Sequence, residues 1–151
     1  MPLYAESSAV LRWLFNESQG DVVFDQLRTA DKVACSRLTL VECRRVIHRA
    51  VGTARLAEKD AADLRSVLGQ AAVTWAILEV SAAVARRAEE RFPAEPLRTL
   101  DALHLASALL LNESVPGLVV LSTDDRIRNN AAQLGFAVLP EMQTSNPNGW
   151  S

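Results

Sequence analysis

Short apolar runs alternate along this chain with longer stretches of helical spacing, and that alternation predicts an α/β architecture with a mainly parallel sheet. Leu3 to Ala5, Lys32 to Ser36, Trp75 to Val80, Leu118 to Leu121 and Phe136 to Leu139 read as strands. Between them, apolar residues recur at intervals of three and four. Val10, Leu11, Leu14 and Phe15 mark a first helix, Val22, Val23, Phe24 and Leu27 a second, and Leu40, Val41, Val46 and Ile47 a third over Thr39 to Val51. Leu64, Val67 and Leu68 fall in a fourth, from about Glu58 to Ala72. Ser81 is a good N-cap for a fifth that ends near Phe92-Pro93, before a turn from Pro93 to Pro96. Leu100 to Leu111 is the most apolar helix and is expected to be the central buried one. Asp124 to Leu134, closed by Gly135, is the last. The prediction is a single three-layer α/β/α sandwich over residues 1–139, followed by a polar, Pro/Asn-rich tail over 140–151.

Length and composition agree with this picture: 151 residues, 49% hydrophobic and 23% charged, suit one globular domain with a substantial core. The start, Met1-Pro2-Leu3-Tyr4, has no basic segment leading into an apolar core. The longest apolar stretches are broken by Asp, His, Arg or Ser well short of a membrane span. A cytoplasmic protein away from membranes is therefore expected. Cys35 and Cys43 lack metal-binding spacing and are expected to be small buried side chains in a reducing compartment.

The candidate chemistry lies in four carboxylates at expected helix starts: Glu6, Glu42, Asp101 and Asp125. Glu6, Glu42 and Asp125 follow or lie near short strand-like runs. In open α/β sheets ligands bind beyond the carboxyl ends of the strands, so these residues can converge. Converging carboxylates repel one another unless a cation neutralises them, and hard oxygen donors suit Mg²⁺ or Mn²⁺. That pattern points to metal-dependent phosphoryl transfer or a nuclease. The net charge of −2 is unusual for a nucleic-acid binder, yet setting the four acids aside turns 16 basic against 18 acidic residues into 16 against 14. Each acid also has an ordinary structural explanation. Thr39-x-x-Glu42 spells a capping box, Asp101 and Asp125 lie where negative charge offsets a helix dipole, and Thr123 is placed to cap the last helix.

Four segments occur in order: Tyr4-Ala5-Glu6-Ser7-Ser8-Ala9-Val10, Leu38-Thr39-Leu40-Val41-Glu42, Leu97-Arg98-Thr99-Leu100-Asp101-Ala102-Leu103-His104-Leu105-Ala106, and Ser122-Thr123-Asp124-Asp125-Arg126. Together they resemble the motifs of PIN-domain ribonucleases, in particular the VapC-type toxins of bacterial toxin–antitoxin pairs, from Leu3 to about Leu139. The resemblance implies a metal-dependent endoribonuclease that hydrolyses RNA to 5′-phosphate and 3′-hydroxyl ends. It assigns the four catalytic acids to Glu6, Glu42, Asp101 and Asp125. Mg²⁺ or Mn²⁺ is then held by Glu6, Asp101 and Asp125 with Asp124 as helper, and Ser7 and Thr123 are supporting residues. It also implies a homodimer and a small cognate antitoxin protein as partner.

Glu6 stands where the family usually has Asp, which leaves a second reading open: a catalytically weak or inactive PIN-like module that binds RNA or protein. A receiver-type signalling domain fits less well, because the first strand offers a single acid and the only lysines, Lys32 and Lys59, lie elsewhere. Arg44 and Arg45, with Arg49, follow Glu42 on one helix and are candidates for holding the substrate backbone, although a solvated face explains them equally. His48 and His104 lack partners at ligand spacing, and His104, in an apolar helix, is expected to be packed or hydrogen-bonded.

Overall fold

The computed structural model describes residues 1–142. The tail expected from residue 140 thus lies, from residue 143 onward, outside the described residues. Five strands form one all-parallel sheet: β1 (Pro2–Ala5), β2 (Lys32–Ser36), β3 (Ala76–Leu78), β4 (Val119–Leu121) and β5 (Val138–Leu139), in the order β3-β2-β1-β4-β5. Seven helices connect them among the described residues. They are α1 (Ser7–Leu14), α2 (Gly20–Thr29), α3 (Arg37–Gly52), α4 (Glu58–Ala72), α5 (Ala82–Ala88), α6 (Thr99–Ser114) and α7 (Asp125–Gln133).

Why β1 is central follows from its side chains. Leu3, Tyr4 and Ala5 are all fully buried, as a parallel strand covered on both faces requires. Side chains alternate between the faces, and the register keeps like with like. Tyr4 lies beside Ala34 and Val120, and all three pack towards α5, α6 and α7 with Leu105, Ala106 and Ile127. On the opposite face, Ala5, Val33 and Cys35 meet Val10, Leu40 and Leu68 from α1, α3 and α4. Two helical layers around one sheet give the expected three-layer sandwich.

Several boundaries differ from expectation for identifiable reasons. The third helix begins at Arg37, not Thr39, because Ser36 accepts the Leu38 N–H and acts as its N-cap. The capping box does not form: Thr39 Oγ1 donates instead to the Ala5 carbonyl at 2.9 Å, tying α3 to the end of β1. The fifth helix stops at Ala88, short of Phe92, since Phe92 turns into the core beneath the Arg87 guanidinium, 4.4 Å from its ring centroid. Asp124, not Thr123, caps α7, its Oδ1 accepting the Arg126 and Ile127 N–H groups at 3.0 and 3.1 Å. Gly135 closes that helix at φ +97°, as expected.

The strand order places a topological switch at β1. The chain moves from β1 out to β2 and β3 on one side, and its later strands β4 and β5 lie on the other. The crevice beyond the ends of β1 and β4 is where such a sheet binds ligands. Glu6 follows β1 directly, and Ser122-Thr123-Asp124 follows β4. No helix of the described residues is long and apolar enough to cross a membrane. Burial pushes the Cys35 thiol up to about 12 and raises Cys43 as well, so both remain inert thiols, in keeping with their expected role.

Candidate active site

At the end of β1 the Glu6 N–H donates to the Leu121 carbonyl at 3.0 Å, fixing the two strand ends together. Glu6 is the N-cap of α1, and its carboxylate turns back into a cradle of hydroxyls. Ser122 Oγ donates to Oε2 at 2.7 Å, the Ser8 N–H donates to Oε1 at 3.2 Å, and Ser8 Oγ donates to Oε2 as well. The same serines reach onward, Ser8 Oγ accepting the Thr123 N–H at 2.9 Å and Ser122 Oγ accepting the Asp124 N–H at 3.1 Å. Glu6 is thus two hydrogen bonds from Asp124. Burial raises the Glu6 pKa, and the nearby His104 ring and the hydrogen bonds from Ser8 and Ser122 offset this only in part.

Glu42, one turn into α3, meets a different set of partners. Ser7 Oγ donates to its Oε1 at 3.0 Å, and His104 Nε2 lies 2.5 Å from the same atom. On the other side of the ring, His104 Nδ1 is 2.7 Å from the Tyr4 hydroxyl. An ionised carboxylate only accepts, so Nε2 carries the hydrogen. Nδ1 of the neutral ring can then accept from Tyr4, and one tautomer satisfies the whole chain. Burial keeps Tyr4 protonated by raising its pKa, reinforced by the nearby Glu6 charge. For Glu42, burial alone would raise the pKa, but the His104 hydrogen bond, Ser7 and the Arg98 charge together hold it below the usual carboxylate range. The carboxylate therefore stays ionised at neutral pH.

Asp101 is buried in the first turn of α6, where Arg98 Nε donates to its Oδ2 at 3.1 Å. Arg98 Nη2 lies 3.7 Å from Asp124 Oδ2, so one guanidinium spans the starts of α6 and α7, and its charge is also felt by Glu42. Asp125 is exposed on the first turn of α7, where its charge acts on Arg128. Arg98 links Asp124 to Asp101, and among the described residues no ion pair joins Asp125 to either. As they stand, no three His, Cys, Asp or Glu side chains among the described residues are grouped to enclose an ion. The chemistry of the donors nevertheless suits one, because Asp101 and Asp124 already share a cation, the Arg98 guanidinium, and Glu42 lines one small pocket with Arg98 and Asp101.

A cleft that Asp124 and Thr123 help to line also takes in Arg12, Arg49, Arg55, Val46 and Glu17, the last 3.9 Å from Arg12. Glu42, Val46 and Arg49 lie on one helical stripe, four and three residues apart. Of the three arginine candidates on α3, the cleft takes Arg49 and neither Arg44 nor Arg45. The sequence reading gave no role to Ser8, Ser122 or Arg98 and no site partner to His104. The spacing Arg98-Asp101-His104, three residues apart on one helix, was the available signal for the last two.

The model of the PIN domain family matches residues 3–133. The chain belongs to the PIN-domain family. Ribonuclease VapC45 of Mycobacterium tuberculosis is 32% identical over 141 residues, 93% of this chain and 96% of that protein. Among solved structures, Mycobacterium tuberculosis VapC20, described as a sarcin-ricin loop cleaving toxin, superposes with a TM-score of 0.65 at 13% identity, covering 92% of this chain and 99% of that one. A toxin–antitoxin complex from Klebsiella pneumoniae gives 0.60 at 16% identity, covering 93% and 97%. At such identities these two likenesses speak for the fold. The family read from the motifs is the one found.

In this PIN domain the two glutamates have opposite pH linkage. Glu6 has its folded-state pKa above its unfolded value, so its contribution is most favourable below the unfolded value and is lost as pH rises through the raised one. Glu42 is depressed, so its contribution is present above its unfolded value and lost as pH falls through the folded one. Glu6→Gln is expected to raise Tm at pH 7 by about 2–4 °C. The amide oxygen can keep the Ser8 N–H while its nitrogen donates to the serine hydroxyls, which rotate. The gain should vanish near pH 4, where Glu6 is largely protonated in either state; thermal melts of both proteins across pH 4–8 measure this.

Proposed function

We propose that this chain is a Mg²⁺- or Mn²⁺-dependent endoribonuclease, the toxin of a toxin–antitoxin pair with a cognate antitoxin as protein partner. The observation that carries the reading is the sharing of one guanidinium by Asp101 and Asp124, with Glu42 in the same small pocket as Arg98 and Asp101, at the switch point of the sheet. Relatives named as VapC ribonucleases over nearly the whole chain support the substrate class. Asp101, Asp124 and Glu42 would hold the cation, with Glu6 behind them on its serine cradle. A divalent cation there supplies acidified water at neutral pH and offsets negative charge building on the phosphate.

The chain's own residues do the rest. Tyr4, His104 and Ser7 fix Glu42 in one orientation and keep it anionic, which makes it a ligand and hydrogen-bond acceptor rather than a general base. Thr123 and Ser122 set the turn that aims Asp124, and Ser8 ties that turn to Glu6. Arg12, Arg49 and Arg55 receive flanking phosphates along the cleft. Hydrolysis adds water at phosphorus and breaks the bond to the 3′ oxygen, leaving 5′-phosphate and 3′-hydroxyl ends.

The direct test is cleavage of labelled single-stranded RNA by the purified chain with Mn²⁺, with Mg²⁺ and with EDTA. Cleavage with either cation and none with EDTA is expected. RNA binding without cleavage under all three conditions would favour the inactive-module reading. Arg49→Ala and Arg12→Ala should each weaken RNA binding and reduce the slope of log affinity against log salt by about one, with kcat at saturating RNA little changed. Fluorescence anisotropy across a salt series reads out both effects.

A further inference from the structure

Arg98 does more than its backbone position requires. It occupies the N-cap of α6 without a side-chain capping bond, and its guanidinium bends inward over Asp101 and across to Asp124. The Asp101 side chain is 7% exposed, whereas that of Arg98 is 65% exposed. The cation thus lies at the mouth of the site as a lid on a buried charge. Its grip is slight: Nε contacts one Asp101 oxygen, and Nη2 stands 3.7 Å from Asp124. Because the Arg98 side chain is mostly exposed, water screens it on the outer side and can take its place against the acids.

We propose that Arg98 is a displaceable counter-ion. It neutralises Asp101 and Asp124 until a divalent cation takes the pair, and then it binds the phosphate being cut. This rests on the metal-dependent reading above. Once a cation neutralises the two carboxylates, the guanidinium loses its reason to stay and is repelled by the new charge. It remains tethered three residues from Asp101 on the same helix, so it cannot travel far. The nearest new anion within its reach is the phosphate drawn to the cation, and the planar fork of Arg matches phosphate oxygens better than the point charge of Lys. The hand-over keeps the buried acids neutralised before metal arrives and frees a cation when phosphate needs one.

The two halves of the proposal have effects of opposite sign, which makes it testable with Arg98→Ala and Arg98→Lys. Calorimetric titration of Mn²⁺ into the proteins without RNA should show Arg98→Ala binding on the order of tenfold more tightly than wild type. Cleavage of a random-sequence pool of labelled single-stranded RNA at saturating Mn²⁺ should show its kcat lower by about a hundredfold, with a smaller change in KM. Arg98→Lys keeps the charge without the fork, so its Mn²⁺ affinity should stay near wild type while kcat falls. Unchanged or weaker Mn²⁺ binding by Arg98→Ala would overturn the counter-ion role. Tighter binding with undiminished kcat would overturn the hand-over to phosphate. Absence of Mn²⁺ binding in all three proteins, with cleavage that survives EDTA, would instead bring down the metal-dependent reading and this proposal with it.

Discussion

Asp101→Asn and Asp124→Asn are each expected to lower RNA cleavage by about 10²–10³-fold, while Asp125→Asn stays within about twofold of wild type. The contrast follows from the different partners of the two adjacent acids. Asp124 caps α7 and faces Arg98, whereas Asp125 is exposed one residue further along. Asn is as good an N-cap as Asp, so Asp124→Asn removes charge while keeping the helix start intact. Asn at position 101 likewise retains an oxygen for Arg98. Both variants should therefore remain folded, with circular dichroism and melting close to wild type, and the loss should be one of chemistry. Asp125→Asn forfeits a helix-dipole contribution of about 0.3–1 kcal/mol and an attraction for Arg128. Loss of cleavage in Asp125→Asn together with an active Asp124→Asn would reverse the assignment.

Removal of the buried imidazole should have the largest effect on stability. His104→Ala is expected to cost about 2–4 kcal/mol, because it opens a cavity and leaves the Tyr4 hydroxyl without its partner. Tyr4→Phe, which removes one hydroxyl and leaves packing almost unchanged, should cost about 1–2 kcal/mol. The two residues share a hydrogen bond, so their double variant should be less destabilised than the sum. Urea denaturation of the four proteins closes the cycle, and strict additivity would show that the Tyr4–His104 contact carries no energy of its own. His104→Ala should also lower cleavage in whatever fraction remains folded, since Glu42 then keeps only Ser7 to orient it.

Much of this architecture was legible in the residues. The run at Leu3 to Ala5 is apolar on both faces, which suits a central parallel strand, and the Leu-Arg-Thr-Leu-Asp-Ala-Leu-His-Leu-Ala run identified the family. Where the reading failed, tertiary contacts had outbid local ones. Thr39 and Glu42 spell a capping box, yet the Ala5 carbonyl and the Ser7–His104 pair offer them partners from other elements. Ser122-Thr123-Asp124-Asp125 satisfies a hydroxyl-x-acid pattern in two registers, one residue apart. Only the geometry of the cap separates them, because a shift of one residue at a helix start turns a side chain by about 100°. His104 looked like packing because its partners, Tyr4 and Glu42, are 100 and 62 residues away in sequence.

The pairing of β1 with β4 has a consequence for synthesis on the ribosome. Glu6 receives a hydrogen bond from a residue 116 positions later, and its strand finds one of its two neighbours only in Val119–Leu121. A nascent chain that has not yet exposed β4 has no Ser122, Thr123 or Asp124, and β1 still lacks a flank. Contacts so distant in sequence form late. N-terminal fragments that end before β4 therefore carry an incomplete site, whose residues can come together only once the chain has been made through Asp124.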